Sequence, residues 1–293
     1  MKRHPLIVGL IVLAGLAVLF FIATYSASVM QSGGGLLDDR IALIKIEGVI
    51  LDSTETIEEL QRYKDSSGIK AIILRINSPG GGVVPSQEIY EEVRKIREEG
   101  KKKVVVSMGT VAASGGYYIA SASNRIVANP GTLTGSIGVI MELANVEGLF
   151  KKIGVESVVI KSGRNKDVGS PFRKMLPEER AILQRLMDDV HTQFIQAVAE
   201  GRGLKEDRVR ALADGSVFTG RQAKELGLVD EIGNLQDTVQ LTADIVGIKG
   251  KPRIVESRKR GSLLGLLRDQ FLGRLPGMQL PQTGVSLKYL MSF

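Results

Sequence analysis

The chain has 293 residues, with 39 lysines and arginines against 32 aspartates and glutamates, two histidines and no cysteine. The missing thiols exclude cysteine-peptidase chemistry, thiolate zinc sites, iron–sulfur clusters and disulfides. His4, just before an apolar run, and His191, inside a helical pattern, are not placed as a metal-binding pair, so no metal and no cofactor is expected. The net charge of +7 is scattered in short runs such as 101–103 and 258–260, with only 5% aromatic residues. That distribution fits anionic lipid or solubility and argues against nucleic acid.

Residues 6–23 (LIVGLIVLAGLAVLFFIA) carry no charge, and 24–30 prolong the run with small and apolar residues. About 20 apolar residues span a bilayer, whereas a signal-peptide core holds about 7–15. The pattern therefore predicts one transmembrane helix, with a leader cleaved near Ser26-Ala27-Ser28 as the competing reading. Lys2 and Arg3 precede the run and Asp38 and Asp39 follow it, which puts the N-terminus in the cytoplasm and the rest outside the cytoplasmic membrane. Residues 1–30 are thus a cytoplasmic start and anchor, 31–40 a glycine-rich tether, 41–247 a folded domain and 248–293 a basic amphipathic tail.

In chain order, 41–46 reads as a strand, 54–64 as a helix and 70–76 (KAIILRI) as a strand ending at a loop, 77–82 (NSPGGG). Helix 86–99, with Ile89, Val93 and Ile96 inward, stops at Gly100; strand 103–107 then leads through a turn into helix 117–123. Short strands are expected at 125–128, 136–140 and 157–161, with a helical turn at 149–153. Helix 177–201 carries the apolar stripe Ile182, Leu186, Val190, Phe194 and Val198, and helices 206–212, 220–226 and 235–245 follow. Strands alternating with helices predict an α/β domain with a largely parallel sheet and flanking helices.

With thiols and metals set aside, hydrolysis needs an activated hydroxyl. Ser114 stands where a strand turns into a helix, a place that exposes Oγ and aims backbone N–H groups at the reacting oxygen. Gly115 and Gly116 leave room for a substrate backbone, although Ala112 breaks the G-x-S-x-G pattern and Ser-Gly-Gly often marks a plain turn. The glycines of 80–82 end a neighbouring parallel strand, so they either offer another N–H on the same face or only make a tight turn. A histidine base would have to be His191, but Met187, Val190 and Phe194 flank it at helical spacing as they would an ordinary half-buried residue. A lysine serves as base if burial lowers its pKa, and spacing does not choose among the lysines. Ser67 and Lys70 match S-x-x-K, yet they lead into a strand where that motif needs a helix.

Four segments, 76–81 (INSPGG), 112–118 (AASGGYY), 134–138 (TGSIG) and 161–167 (KSGRNKD), together resemble the signal peptide peptidase A family in its short bacterial form, in the family's order and within 41–245. The resemblance implies a Clp protease/crotonase-like α/β fold and a Ser-Lys dyad with Ser114 as nucleophile and Lys166 as base. It also implies that Ser136 hydrogen-bonds the lysine ammonium and that Gly81 N–H helps form the oxyanion hole. Gly115 N–H is added to that hole on geometric grounds. Further implications are a ring-like or dome-like homo-oligomer, in which a dyad can be completed across a subunit boundary, and substrates that are signal peptides left in the membrane after preprotein processing. Such peptides would bind extended along strand edges, with the N-terminal helix holding the enzyme in the lipid. A related membrane serine protease cutting an integral membrane protein is the nearest alternative. An acyl-CoA hydratase of the crotonase type shares the fold but needs acidic residues and cytosolic CoA, and a non-catalytic membrane scaffold is the bland reading.

Overall fold

The computed structural model describes residues 13–24, 39–256 and 288–291. The chain divides into two units, 1–39 and 40–293. In the first, 13–24 form a helix, α1, whose side chains are all exposed. Among the described residues no helix is long and apolar enough to cross a membrane. The expected anchor and most of the expected tether extend outside the described residues.

The second unit begins with β1 (Arg40–Glu47), α2 (Thr54–Asp65), β2 (Ile69–Ser78), β3 (Gly80–Gly82), α3 (Val83–Glu99), β4 (Lys103–Ala113) and α4 (Gly115–Ser121). It continues through β5 (Arg125–Ala128), β6 (Leu133–Gly135), α5 (Glu147–Lys152), α6 (Pro177–Arg202), α7 (Glu206–Arg210) and β7 (Val217–Thr219). The remaining elements are α8 (Gly220–Glu225), β8 (Glu231–Ile232), α9 (Leu235–Ile245), β9 (Arg253–Glu256) and β10 (Lys288–Leu290).

An eight-stranded sheet runs β7-β6-β4-β2-β1-β9, with β5 beside β4 and β8 beside β5. Its pairings are parallel except β6 with β7. The central strand β2 is apolar almost throughout because both of its faces are covered. Ile72, Leu74 and Ile76 join the main core with α3, α4 and α6, while Ile73 on the other face packs with Ile41, Leu43 and Ala243 under α9.

Several expected elements differ, each for a local reason. Strand 103–107 runs on to Ala113, because β4 exchanges one neighbour for another: Val105–Ser107 pair with β5 and Val111–Ala113 with β6. Side chains cover the backbone at that bend, Asn77 Oδ1 accepting from Val111 N (3.2 Å) and Thr132 Oγ1 donating to Gly109 O (2.7 Å). The expected strand 136–140 lies earlier, at Leu133–Gly135, leaving Ile140 in an isolated bridge to Lys288. The expected strand 157–161 is irregular; Val158 and Ile160 are 79% and 97% exposed, and β-branched residues make a strand only where an edge is there to pair with.

The glycines of the expected loop 77–82 include a strand, β3, which pairs antiparallel with β10. Two pieces of the stretch expected as a tail are therefore built into sheets, β9 on the edge of β1 and β10 on β3. On α6, Phe194 and Val198 are buried and Val190 half-buried, whereas Leu186 is 49% exposed, so only the C-terminal half of the stripe faces the core. Phe194 packs on the rings of Tyr118 and Tyr289 with centroids 4.9 and 4.8 Å away. Phe194→Ala is expected to lower the unfolding free energy by about 3–5 kcal/mol, read from the midpoint of guanidinium denaturation followed by circular dichroism.

Candidate active site

Ser114 occupies the junction of β4 and α4 with φ 52° and ψ −117°, one of two non-glycine residues at positive φ among the described residues. Such a backbone is strained and persists only where its surroundings fix it. Here Ser114 N donates to Gly135 O (2.8 Å), and Ser114 O accepts from Tyr118 N (2.8 Å) in the first turn of α4. The side chain is 1% exposed, and its Oγ has no hydrogen-bond partner among the described residues. An orphaned buried hydroxyl costs about 1–3 kcal/mol, so it marks a group kept for something other than stability.

Three backbones converge on this turn, and two of them can do so only because they are glycine there. A Cβ on Gly115 would come within 2.5 Å of Ser86 Oγ and 3.2 Å of Gly81 N. A Cβ on Gly80, where φ is +106°, would collide with the Tyr289 carbonyl oxygen and stand 2.8 Å from Gly115 N. On its other side β3 is tied to Ile50, which donates from N to Gly80 O (2.9 Å) and accepts at O from Gly82 N (2.8 Å). Gly81 and Gly115 thus lie side by side next to Ser114, with β10 running past them; Met291 N donates to Pro79 O (2.9 Å).

Ser136 is the second non-glycine residue at positive φ, 49°, and follows directly on the Gly135 carbonyl that holds Ser114. Its N–H donates to Ser216 O (2.8 Å), and it is 8% exposed. A cavity of about 380 Å³ is lined by Ser136 together with His191, Asp188, Asp214 and Met291. His191 Nε2 is buried there without a partner, and neither it nor any lysine reaches Ser114 Oγ within the described residues.

Lys166 stands apart from this group. It is exposed, on a turn closed by Lys166 N donating to Gly163 O (3.1 Å). The turn is braced by ions: Asp167 pairs with Lys161 and with Arg173 (2.9 Å), and Arg173 pairs onward with Glu179 at the start of α6. Arg173 also donates to Asp167 O (3.1 Å), Lys161 Nζ donates to Arg164 O (2.9 Å), and Glu179 accepts from Leu176 N (2.9 Å). The Arg173 guanidinium, then Lys161, holds the Asp167 carboxyl far below the usual range; Arg173, then the Leu176 N–H, pulls Glu179 down to about 2.

Of the residues singled out from sequence, Ser114, Gly81, Gly115 and Ser136 are gathered at one place, and among the described residues no hydrogen bond joins Lys166 to them. Sequence reading missed Tyr289 and Ile50, which flank β3 on its two edges. The only trace of β10 in the sequence is the spacing of Tyr289 and Met291, both buried, on one side of a short run.

The family model of peptidase family S49 matches residues 95–249, and that of Clp protease matches 26–132. The chain is a serine peptidase of family S49. A Synechocystis protein provisionally named protease slr0021 is 47% identical over 210 residues, covering 71% of this chain and 75% of that protein. An Enterococcus faecium protein provisionally named signal peptide peptidase SppA is 36% identical, over 70% of this chain and 63% of that one. Protease 4 of Salmonella typhi is 37% identical over 77% of this chain, but only 37% of its own length. Membership in S49 sets the hydratase reading aside, and the sheet order agrees with the Clp protease-like α/β fold.

Because the folded-state carboxyls of Asp167 and Glu179 titrate below their unfolded values, their support of the Lys166 turn is complete above about pH 4.5 and fades as pH falls toward 2. Hydrogen exchange at 166–170, corrected for intrinsic rates, should show protection at pH 6 that declines below about pH 4.5 and is lost only below about pH 2. In Arg173→Gln the protection should already be low at pH 6.

Proposed function

We propose that the chain is a membrane-tethered serine endopeptidase that degrades signal peptides left in the membrane, with Ser114 and Lys166 as its dyad. The observation that carries this reading is the Ser114 turn: a strained, buried, partnerless hydroxyl beside two glycine N–H groups and a strand edge. In the proposed cycle, neutral Lys166 accepts the Ser114 proton as Oγ attacks the peptide carbonyl carbon, and the oxyanion is received by Gly81 N–H and Gly115 N–H. Collapse expels the amine, which takes the proton back from Lys166. Water, deprotonated by the same lysine, then attacks the acyl carbon; the ester bond to Oγ breaks, the lysine returns the proton to Oγ, and the carboxylic product leaves. Ser136 steadies Nζ.

Lysine is neutral near pH 7 only when desolvated, and Lys166 is exposed in the single chain. The missing burial would come from a second copy, so that one subunit's Lys166 serves the Ser114 of its neighbour. Leu149, Ile153 and Val158, at 57%, 61% and 79% exposure, border the same stretch and supply an apolar face for such a contact. Both edges of β3 are paired, by β10 and by Ile50, and the way β10 lies along the glycines supports binding of an extended peptide there in place of β10. The apolar, exposed side chains of α1 support anchoring of 6–23 in the cytoplasmic membrane, and the name of the Enterococcus relative supports the substrate class.

Ser114→Ala and Lys166→Ala should each lower kcat/KM on an apolar signal-peptide substrate roughly 10⁴-fold or more. Mixed oligomers of the two variants should regain part of the wild-type rate. A mixture that forms but stays inactive would overturn the shared dyad, and an active Lys166→Ala enzyme would overturn the base.

A further inference from the structure

Two serines beside the Ser114 turn are fully buried and take no part in the proposed cycle. Ser78 ends β2 and Ser86 lies near the start of α3, both at 0% exposure, and the glycine strand β3 runs between them. Each is tied to one end of that strand. Gly80 N donates to Ser78 Oγ (3.0 Å), and Ser86 Oγ donates to Gly82 O (2.8 Å). Each also lies against one of the glycines that follow Ser114. A Cβ on Gly115 would stand 2.5 Å from Ser86 Oγ, and one on Gly116 would stand 3.1 Å from Ser78 O and 3.6 Å from Ser78 Cβ.

A serine that bonds back to the carbonyl four residues earlier is ordinary in a helix and usually of local effect. Ser86 differs in what surrounds that bond. The point that a Gly115 Cβ would occupy beside Ser86 Oγ is also 3.2 Å from Gly81 N and 3.3 Å from Gly80 Cα, so the hydroxyl sits where β3 and the start of α4 come together. The strand has little stiffness of its own. Glycine has more backbone freedom to lose than any other residue, so three in a row keep one shape only as far as their neighbours hold them. β3 is held by Ile50 on one edge and by β10 on the other. A peptide that takes the place of β10 leaves Ile50 and the two serine hydroxyls as the ties that persist through the exchange.

We propose that Ser86 is a positioning residue of the peptidase. Its hydroxyl fixes Gly82 and rests against Gly115, which keeps the Gly81 and Gly115 N–H groups aimed at one point while the substrate strand comes and goes; Ser78 does the same from the other end of β3. The proposal rests on the reading that these two N–H groups receive the oxyanion formed at Ser114. Strand pairing tolerates a small shift of β3, whereas an oxyanion hole needs both donors within about 2.7–3.1 Å of one oxygen, so the effect of Ser86 falls on the chemical step and not on substrate binding.

The test uses the full chain in detergent with an apolar signal-peptide substrate and the corresponding peptide aldehyde. Ser114 Oγ adds to the aldehyde carbon and leaves its oxygen in the same hole. Ser86→Ala should lower kcat about 10- to 100-fold with KM held within about twofold, and should weaken aldehyde inhibition by the factor by which kcat/KM falls. Ser121→Ala is the matched control: Ser121, at the other end of α4, is also fully buried and bonds back to a helix carbonyl (Tyr118 O, 2.7 Å), and its loss should leave kcat and aldehyde inhibition unchanged. Ser78→Ala should repeat the Ser86 pattern, and it decides the question if Ser86→Ala does not fold. A KM effect with kcat intact, unchanged aldehyde inhibition, or a loss no larger than in Ser121→Ala overturns the proposal. If the wild type neither cuts the peptide nor binds the aldehyde, the peptidase reading at Ser114 fails separately. Hydrogen exchange of the amides at 80–82 and 115 then still decides the positioning, faster exchange in Ser86→Ala than in Ser121→Ala supporting it and equal exchange refuting it.

Discussion

The hydrogen bond from Ser114 N to Gly135 O is the constraint on which the site depends. It holds a serine at positive φ, where the backbone would otherwise relax, and it extends the pairing of β4 with β6 one residue past the end of β4. Once that bond is made, α4 must start at Gly115, and Gly115 must lie against Gly81. Ser136, the residue after Gly135, is carried into the same neighbourhood by its own bond to Ser216. The Ser114 turn, the two glycine N–H groups and Ser136 are thus placed by one backbone contact between two strand ends, and among the described residues no side-chain hydrogen bond holds the Ser114 hydroxyl.

Two halves with different physics result. The Ser114 half is buried and fixed by backbone hydrogen bonds, which salt and pH leave alone. The Lys166 half is exposed and braced by a chain of charges from Lys161 through Asp167 and Arg173 to Glu179, which acid dissolves. Backbone closure sets an immovable target, and charge closure presents the lysine on a turn with a defined shape. Neither half makes a dyad alone, so under the proposed mechanism the subunit contact becomes part of the chemistry.

The central strands were legible because β1, β2 and the first part of β4 are largely apolar runs rich in Ile and Val, the signature of a sheet covered on both faces. Ser114 was legible because a buried strand, two small residues and two glycines leave little else for the backbone to do. The gathering of Gly81 near Ser114 followed from parallel strands ending on one face. Ser136 was less so: the run 136–140 looks like a strand, and only the antiparallel turn to Val217–Thr219 ends β6 one residue before it. The segment around Val158 has strand composition but no edge to pair with in its own chain, so local propensity misleads there. β3 and β10 were hidden for the opposite reason. A run of three glycines has no side-chain pattern to read, and its partner lies at the far end of the domain.

That separation has a consequence for how the domain comes into being. β1 acquires its outer neighbour from 253–256 and β3 from 288–290, so two edges formed early in the chain wait for segments made late. Closing such distant ends is slow compared with forming the helices between them. A chain emerging stepwise would hold its Ser114 turn and its inner strands before the glycine edge had a second side. The domain would be finished last beside that turn, and a half-made copy would present the edge to whatever strand was nearest.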